Sequence, residues 1–198
     1  MNFNLADMPL PLRFRPEMPM SDDDLLRFCA ANDFFRIERD ANGEILVMTP
    51  AGSKTSSMNS RITRILDEWA EEDGRGVSFD SNGGFTLPDG SMRAADAAWL
   101  QLSKWDALSK KDQQRFAPVC PDFVIELRSP SDSLSELQSK MENWIGNGAQ
   151  LGWLIDPFER TVHIYRSGEA PEVHQNPSSV QGSGVMAGFE LVMSRVWG

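Results

Sequence analysis

Two stretches of this chain read as strand interiors with an acid set in the middle: Ala94-Ala95-Asp96-Ala97-Ala98-Trp99-Leu100 and Phe123-Val124-Ile125-Glu126-Leu127. Strand interiors disfavour Asp and Glu, and a buried carboxylate without a partner costs on the order of several kcal/mol. Any fold for this chain must therefore satisfy Asp96 and Glu126. If the two strands are neighbours, the carboxylates repel unless a proton or a cation lies between them. Magnesium suits such a pair, because it takes oxygen ligands and keeps several of its waters. Mn²⁺ accepts the same donors. A metal held there activates a water and offsets charge on a phosphate. The plainer alternative is a pair of strand-end acids satisfied by backbone amides or arginines.

Period-two geometry puts Asp122, Val124, Glu126 and Arg128 on one face of the second strand. Glu126 and Arg128 then form an acid-x-base pair pointing the same way. Asp122 follows Pro121 at the strand's start, where Pro-Asp is also a common turn pair. It reads either as an auxiliary ligand or as a structural acid.

The remaining pattern supplies a frame for these strands. Ser21 followed by Asp22, Asp23 and Asp24 opens a helix that runs to about residue 31. Residues 34–38 and 44–48 are strand-like, and Asn42-Gly43 between them predicts a hairpin. A long helix follows over about 55–72, with Met58, Ile62, Ile65, Leu66 and Trp69 as its apolar stripe. Its charges oppose the macrodipole: Lys54, Arg61 and Arg64 lie in the first half, and Glu68, Glu71, Glu72 and Asp73 at the end. A basic half facing a polyanion and a solvated face with arbitrary charges both account for this. Extended pieces come next at 76–80, 84–88 and 93–101, then a helical excursion over 102–119 and the strand around Glu126. Ser133-Leu134-Ser135-Glu136 has the form of a capping box, opening a helix that ends near Gly146. Residues 151–155 read as a strand covered on both faces, followed by a strand at 161–166, a loose stretch at 167–184 and a closing element at 189–197. This order predicts one mixed α/β domain over 21–198, preceded by a Pro- and Met-rich arm over 1–20.

Charge bears on the partner. The chain has 198 residues, with 19 Lys and Arg against 29 Asp and Glu, a net charge of −10. That argues against nonspecific coating of nucleic acid, which needs local positive charge. It leaves room for an enzyme whose basic residues gather in one cleft, and Lys54, Arg61, Arg64, Arg128 and Lys140 are the candidates. No window approaches 18 uninterrupted apolar residues, so no membrane-spanning helix is expected. The start Met1-Asn2-Phe3-Asn4-Leu5-Ala6-Asp7 lacks the pattern of a signal peptide. Cys29 and Cys120 make neither a disulfide framework nor a zinc set, which points to a reducing cytoplasm. His163 and His174 lack ligand spacing and read as structural.

Three stretches resemble a known family: Gly84-Phe-Thr-Leu-Pro-Asp-Gly-Ser-Met-Arg-Ala-Ala-Asp-Ala-Ala-Trp99, Cys120-Pro-Asp-Phe-Val-Ile-Glu-Leu-Arg-Ser-Pro-Ser-Asp-Ser-Leu134 and Leu151-Gly-Trp-Leu-Ile-Asp-Pro157. With them, residues 28–197 are similar to an uncharacterised bacterial family of putative restriction endonucleases in the PD-(D/E)XK nuclease superfamily. The resemblance implies a restriction-endonuclease-like core, in which helices flank a central mixed sheet and an N-terminal helix and hairpin form an extension. It implies that Asp96 and Glu126 bind Mg²⁺, that the carbonyl of Leu127 is a further ligand, and that a basic residue orients the attacking water. Arg128 stands where that base is ordinarily lysine. Lys140, on the following helix at the edge of the Leu137/Met141/Trp144 stripe, looks like a migrated catalytic lysine. A surface Glu136–Lys140 pair at i, i+4 is the local alternative.

The implied activity is metal-dependent cleavage of DNA by an endonuclease, with a homodimer expected because many nucleases pair two sites across a duplex. Two departures keep a second class open, a nuclease-fold protein that binds nucleic acid or a protein partner without cutting. Lys54 stands where relatives often carry a glutamate, and the Glu-x-Lys lysine is missing. Ala95 also replaces the usual proline, which costs rigidity but no ligand.

Overall fold

The computed structural model describes residues 9–197. In chain order they form β1 (Leu12–Phe14), α1 (Asp22–Ala31), β2 (Arg36–Arg39), β3 (Ile45–Met48), α2 (Ser53–Asp73), β4 (Gly76–Asp80), β5 (Gly84–Thr86), β6 (Met92–Ala94), β7 (Ala97–Gln101) and α3 (Leu102–Ala107). Then come β8 (Phe123–Leu127), α4 (Leu134–Gly146), β9 (Leu151–Asp156), β10 (Thr161–Arg166), β11 (Glu172–Gln175), β12 (Ser179–Gln181), β13 (Glu190–Val192) and α5 (Ser194–Trp197).

The helix starts differ from one another. At α1 the Ser21 hydroxyl accepts the Asp24 N–H, and the Asp24 carboxylate accepts the Ser21 N–H in return, a reciprocal cap on a first turn of three acids. The capping box expected at Ser133 does not form. The Ser133 hydroxyl pairs with that of Ser135, and Glu136 is drawn away by Arg13 of β1, whose Nη2 donates at 2.9 Å.

Six strands in the order β11-β10-β9-β8-β7-β4 make the main sheet. It is mixed: β8 and β9 are parallel, and the other pairs are antiparallel. Strand alternation sends side chains to two separate cores. On one face Phe123, Ile125 and Leu127 of β8, with Ala97, Trp99 and Trp153, receive Met58, Ile62 and Leu66 of α2. On the other, Val124, Ala98 and Leu154 receive Met141 and Trp144 of α4. Helix α4 lies so close that a Cβ on Gly152 would stand 2.3 Å from the Met141 Cε. This is the expected class, a mixed sheet flanked by helices, with the apolar helix stripes supplying most of the packing energy.

A second sheet, in the order β1-β3-β2-β6-β5, is built on the expected hairpin. It packs around Leu25, Ile37, Ile45, Val47 and Met92. β12 and β13 form a two-stranded ribbon. Three expectations change here. The extended piece at 93–101 is two strands: β6 belongs to the small sheet and β7 to the large one, and Asp96 sits in the step between them. Part of the arm pairs with β3 as β1, while residues 1–8, including the start compared with a signal peptide, lie outside the described residues. The loose stretch at 167–184 contains β11 and β12. Among the described residues no helix is long and apolar enough to cross a membrane.

Candidate active site

Because Asp96 lies in the step between sheets, both sheets and a helix reach it. Its Oδ2 accepts the Leu127 N–H at 2.8 Å, which fixes it to the end of β8. Its Oδ1 accepts from Arg36 Nη1 of β2 at 3.1 Å and from Asn59 Nδ2 of α2 at 3.2 Å. Asp96 is 4% exposed. An amide and an arginine thus satisfy most of it, as the plainer reading of the sequence expected.

Glu126 points to the opposite face of β8 from Ile125 and Leu127, toward α4, and is 2% exposed. Its Oε1 accepts the Trp144 indole N–H at 2.9 Å and stands 2.9 Å from Lys140 Nζ. Lys140 and Trp144 are four residues apart, so one face of α4 delivers both. The surface pair with Glu136 does not form. The Lys140 ammonium has three donors, and all three are placed: on Glu126, on Glu38 Oε1 at 2.7 Å and on the Ala94 carbonyl at 2.9 Å. Glu38, on β2, is 2% exposed and also accepts from Arg93 Nη1 at 2.9 Å.

The two glutamates divide the available positive charge unequally. Burial pushes Glu126 up to about 7; Lys140 opposes the shift, and the like charges of Asp96 and Glu38 reinforce it. Burial pushes Glu38 up as well, but Lys140 and Arg93 outweigh it and hold its carboxyl down at about 2. Burial works against the charge on Lys140, yet Glu126 and Glu38 prevail and raise it above the ordinary lysine value.

The cluster opens on a cleft of about 340 Å³ lined by Arg13, Arg36, Glu38, Asp96, Glu126 and Lys140, among others. A second chamber of about 310 Å³ adjoins it and shares Arg13, Arg36, Asp96 and Leu127. Among the described residues no group of three or more His, Cys, Asp and Glu converges as a metal cage. The donor set still fits a hard cation that keeps its waters. Two carboxylates offer eight lone-pair sites. Five are taken by Leu127, Arg36, Asn59, Trp144 and Lys140, and no hydrogen bond reaches Glu126 Oε2 among the described residues.

The other expected site residues lie elsewhere. β8 ends at Leu127, so the alternation does not carry on to Arg128. Arg128 donates from Nη1 to Asp156 Oδ2 at 2.7 Å and lies over the Phe158 ring, away from Glu126. Asp122 is at the far end of the strand from Leu127, fully buried, and accepts from Lys104 Nζ at 2.8 Å, Gln150 Nε2 at 2.7 Å and both the backbone and side-chain amides of Gln101. Four residues of strand put it about 13 Å from Glu126, so it cannot share an ion with it. Asp122→Ala should lower stability by about 3 kcal/mol in a denaturant melt, since it removes the acceptor of a lysine and three amides. A melt unchanged from wild type would overturn this structural reading of Asp122. Lys54 is exposed, Arg61 donates to the Arg195 carbonyl and Arg64 pairs with Glu68 on the helix surface, so these cations do not gather at the cleft. Arg13, Arg36 and Arg93 take that place.

Sequence reasoning missed Glu38, Arg36 and Arg93. Arg36 and Glu38 alternate on a short charged strand, Arg-Ile-Glu-Arg, which reads as the wet face of a hairpin. The signal that could have found them is the acid following Phe34-Phe35-Arg36-Ile37, a third carboxylate in a strand-like run.

Comparison with known proteins identifies the family and the fold. A family model described as Uma2, putative restriction endonuclease, matches residues 22–194. The crystal structure of a putative nuclease belonging to DUF820 from Anabaena variabilis superposes with a TM-score of 0.72 at 22% identity, covering 90% of this chain and 98% of that one. That likeness is one of fold. The complex of DrdV with DNA, seen by electron cryomicroscopy, matches at a TM-score of 0.38 and 13% identity, over 62% of this chain and 12% of that one, too distant to bear on the site. No curated protein matches the chain.

Proposed function

The chain belongs to the Uma2 family of putative restriction endonucleases, and from that premise and the geometry of the cleft we propose that it hydrolyses phosphodiester bonds of DNA with Mg²⁺. The observation that carries the proposal is the Lys140 ammonium, held 2.9 Å from Glu126 at an open cleft that also contains Asp96. Asp96 and Glu126 would hold the ion, with the Leu127 carbonyl as a candidate third ligand. Mn²⁺ would serve in its place. When bound, the ion would acidify a water and offset charge on the phosphate.

The chain's own residues do the positioning. The Leu127 N–H and Arg36 fix the Asp96 carboxylate, and Trp144 fixes Glu126 through Oε1, which leaves Oε2 for the ion. Lys140, anchored by Glu38 and the Ala94 carbonyl, presents a fixed positive charge where negative charge develops on the phosphate. Arg36, Arg93 and Lys140 already balance Asp96, Glu126 and Glu38, so the ion would be held loosely and activity should need millimolar metal. The non-cleaving alternative rested on Lys54 and on the missing lysine beside Glu126. Lys54 lies outside the cleft lining, and α4 supplies a lysine. A homodimer and a cytoplasmic setting belong to the same proposal.

The test is a plasmid and oligonucleotide cleavage assay in Mg²⁺ or Mn²⁺, with EDTA as control, on wild type, Asp96→Ala and Glu126→Ala. Wild type should cut, and each variant should lose at least about a hundredfold in rate. Salt-dependent DNA binding by a wild type that never cuts would sink the proposal in favour of the non-cleaving reading.

A further inference from the structure

Helix α2 begins bare. Its N-cap is Gly52, which has no side chain to accept a hydrogen bond, and its first turn holds no acid. The first helical bond runs from the Ser56 N–H to the Gly52 carbonyl, so the N–H groups of Ser53, Lys54 and Thr55 have no partner among the described residues. A bare helix start is not by itself a site. The second feature is Thr55, which heads the apolar stripe of Met58, Ile62 and Leu66. It is 5% exposed and lines the second chamber of the cleft beside Ala51 and Gly52, and its hydroxyl has no hydrogen-bond partner among the described residues. Valine would fill the same volume; the hydroxyl is not itself sealed from solvent, so in this nearly buried residue it is the part that reaches the chamber, where a ligand can accept its hydrogen bond. The chamber runs from this helix start to Arg13, Arg36 and Asp96, which it shares with the first chamber.

We propose that the N-terminus of α2 and the Thr55 hydroxyl seat a phosphate of the substrate strand adjacent to the one that is cut. This rests on the nuclease reading above. The free N–H groups and the hydroxyl donate to the non-bridging phosphate oxygens, and the helix dipole and Arg13 and Arg36 complement their charge. The recognised chemistry is a tetrahedral phosphate, whether part of a strand or free, and the experiment separates the two.

The test uses full-length protein in EDTA, titrated with inorganic phosphate by calorimetry and with a short fluorescein-labelled DNA strand by anisotropy. Two variants read the seat. Thr55→Val removes the hydroxyl while keeping the shape, and should weaken phosphate binding about tenfold. Gly52→Asp places a carboxylate on an extended backbone (φ −63°, ψ 156°) where a new Cβ meets nothing within 4 Å. That carboxylate caps the helix and fills the seat, so Gly52→Asp should raise Tm while weakening phosphate and strand binding by more than about tenfold. The seat is overturned if wild type binds no phosphate on the order of tens of millimolar, or if both variants bind it as wild type does. DNA cut by a wild type whose variants bind phosphate and DNA unchanged overturns the seat and leaves the nuclease reading standing. Phosphate bound at the seat by a protein that neither binds nor cuts the strand overturns both the proposed occupant and the nuclease reading.

Discussion

Lys140→Met should lower the stability of the protein by about 3–5 kcal/mol near pH 8 and reduce cleavage at least about a hundredfold. The size of the first effect follows from how many groups depend on one ammonium. Among the described residues Lys140 is the only cation paired with Glu126, it shares Glu38 with Arg93, and it satisfies the Ala94 carbonyl. Its removal leaves one carboxylate buried without a counterion and a second with half of its compensation. Denaturant melts of Lys140→Met and of the double variant Lys140→Met/Glu126→Gln check this. The double variant should be the more stable of the two, because it no longer buries the stranded charge. A gain from Glu126→Gln no larger in the Lys140→Met background than in wild type would show that Lys140 and Glu126 are not coupled, and the account of the site would fail.

Glu126→Gln should have the opposite effect on stability. With its carboxyl raised from 4.5 to about 7 in the folded protein, Glu126 binds its proton more tightly folded than unfolded. The sign follows from linkage: the group favours the folded state below about pH 4.5 and loses that contribution as pH rises through about 7. Above that range the buried charge costs on the order of 3 kcal/mol. The neutral, isosteric amide avoids the cost. In EDTA, Glu126→Gln should melt several degrees above wild type at pH 8 and alongside it near pH 4.5, and it should not cut DNA. Equal melting temperatures at pH 8 would remove the argument that wild type gives up stability at this position. Millimolar Mg²⁺ should raise the wild-type Tm at pH 8 and leave that of the variant unmoved. Such a trade of stability for an occupied site is common where a cluster is built for chemistry.

How far the sequence reveals this site depends on how local each residue's environment is. Asp96 and Glu126 stand out because their strand neighbours are apolar, which is a local property. The fold class follows from the two stripes at Met58–Leu66 and Leu134–Ile145 with short strands between them. Lys140 was visible only through the family resemblance, since its spacing to Glu136 equally describes a surface pair. Glu38 gives a weaker signal, an acid in a strand-like run whose two neighbours are Ile37 and Arg39, and its burial comes from α4 and β6 closing over it. Arg128 was misplaced for a geometric reason, because alternation holds only while the strand lasts and β8 ends one residue before it. Asp122 lies one residue before β8 begins and about two pleats from Glu126, a distance that a same-face argument ignores. Likewise, nothing in residues 93–101 marks the step that moves Asp96 from one sheet to the next.

That step has a consequence for folding. The contacts that assemble the cluster join residues far apart in the chain: Arg36 to Asp96 spans 60 residues, Arg93 to Glu38 spans 55, and Lys140 to Glu38 spans 102. Loops of that length close late and at an entropic cost that only a completed core repays. A nascent chain can form the hairpin of the small sheet, or helix α2, long before α4 has been synthesised. Glu38 then has no lysine to meet, and Asp96 and Glu126 have no common cleft. Under the proposed nuclease function this ordering is a safeguard: the centre would come into being only with the finished molecule, and an unfinished one would be harmless.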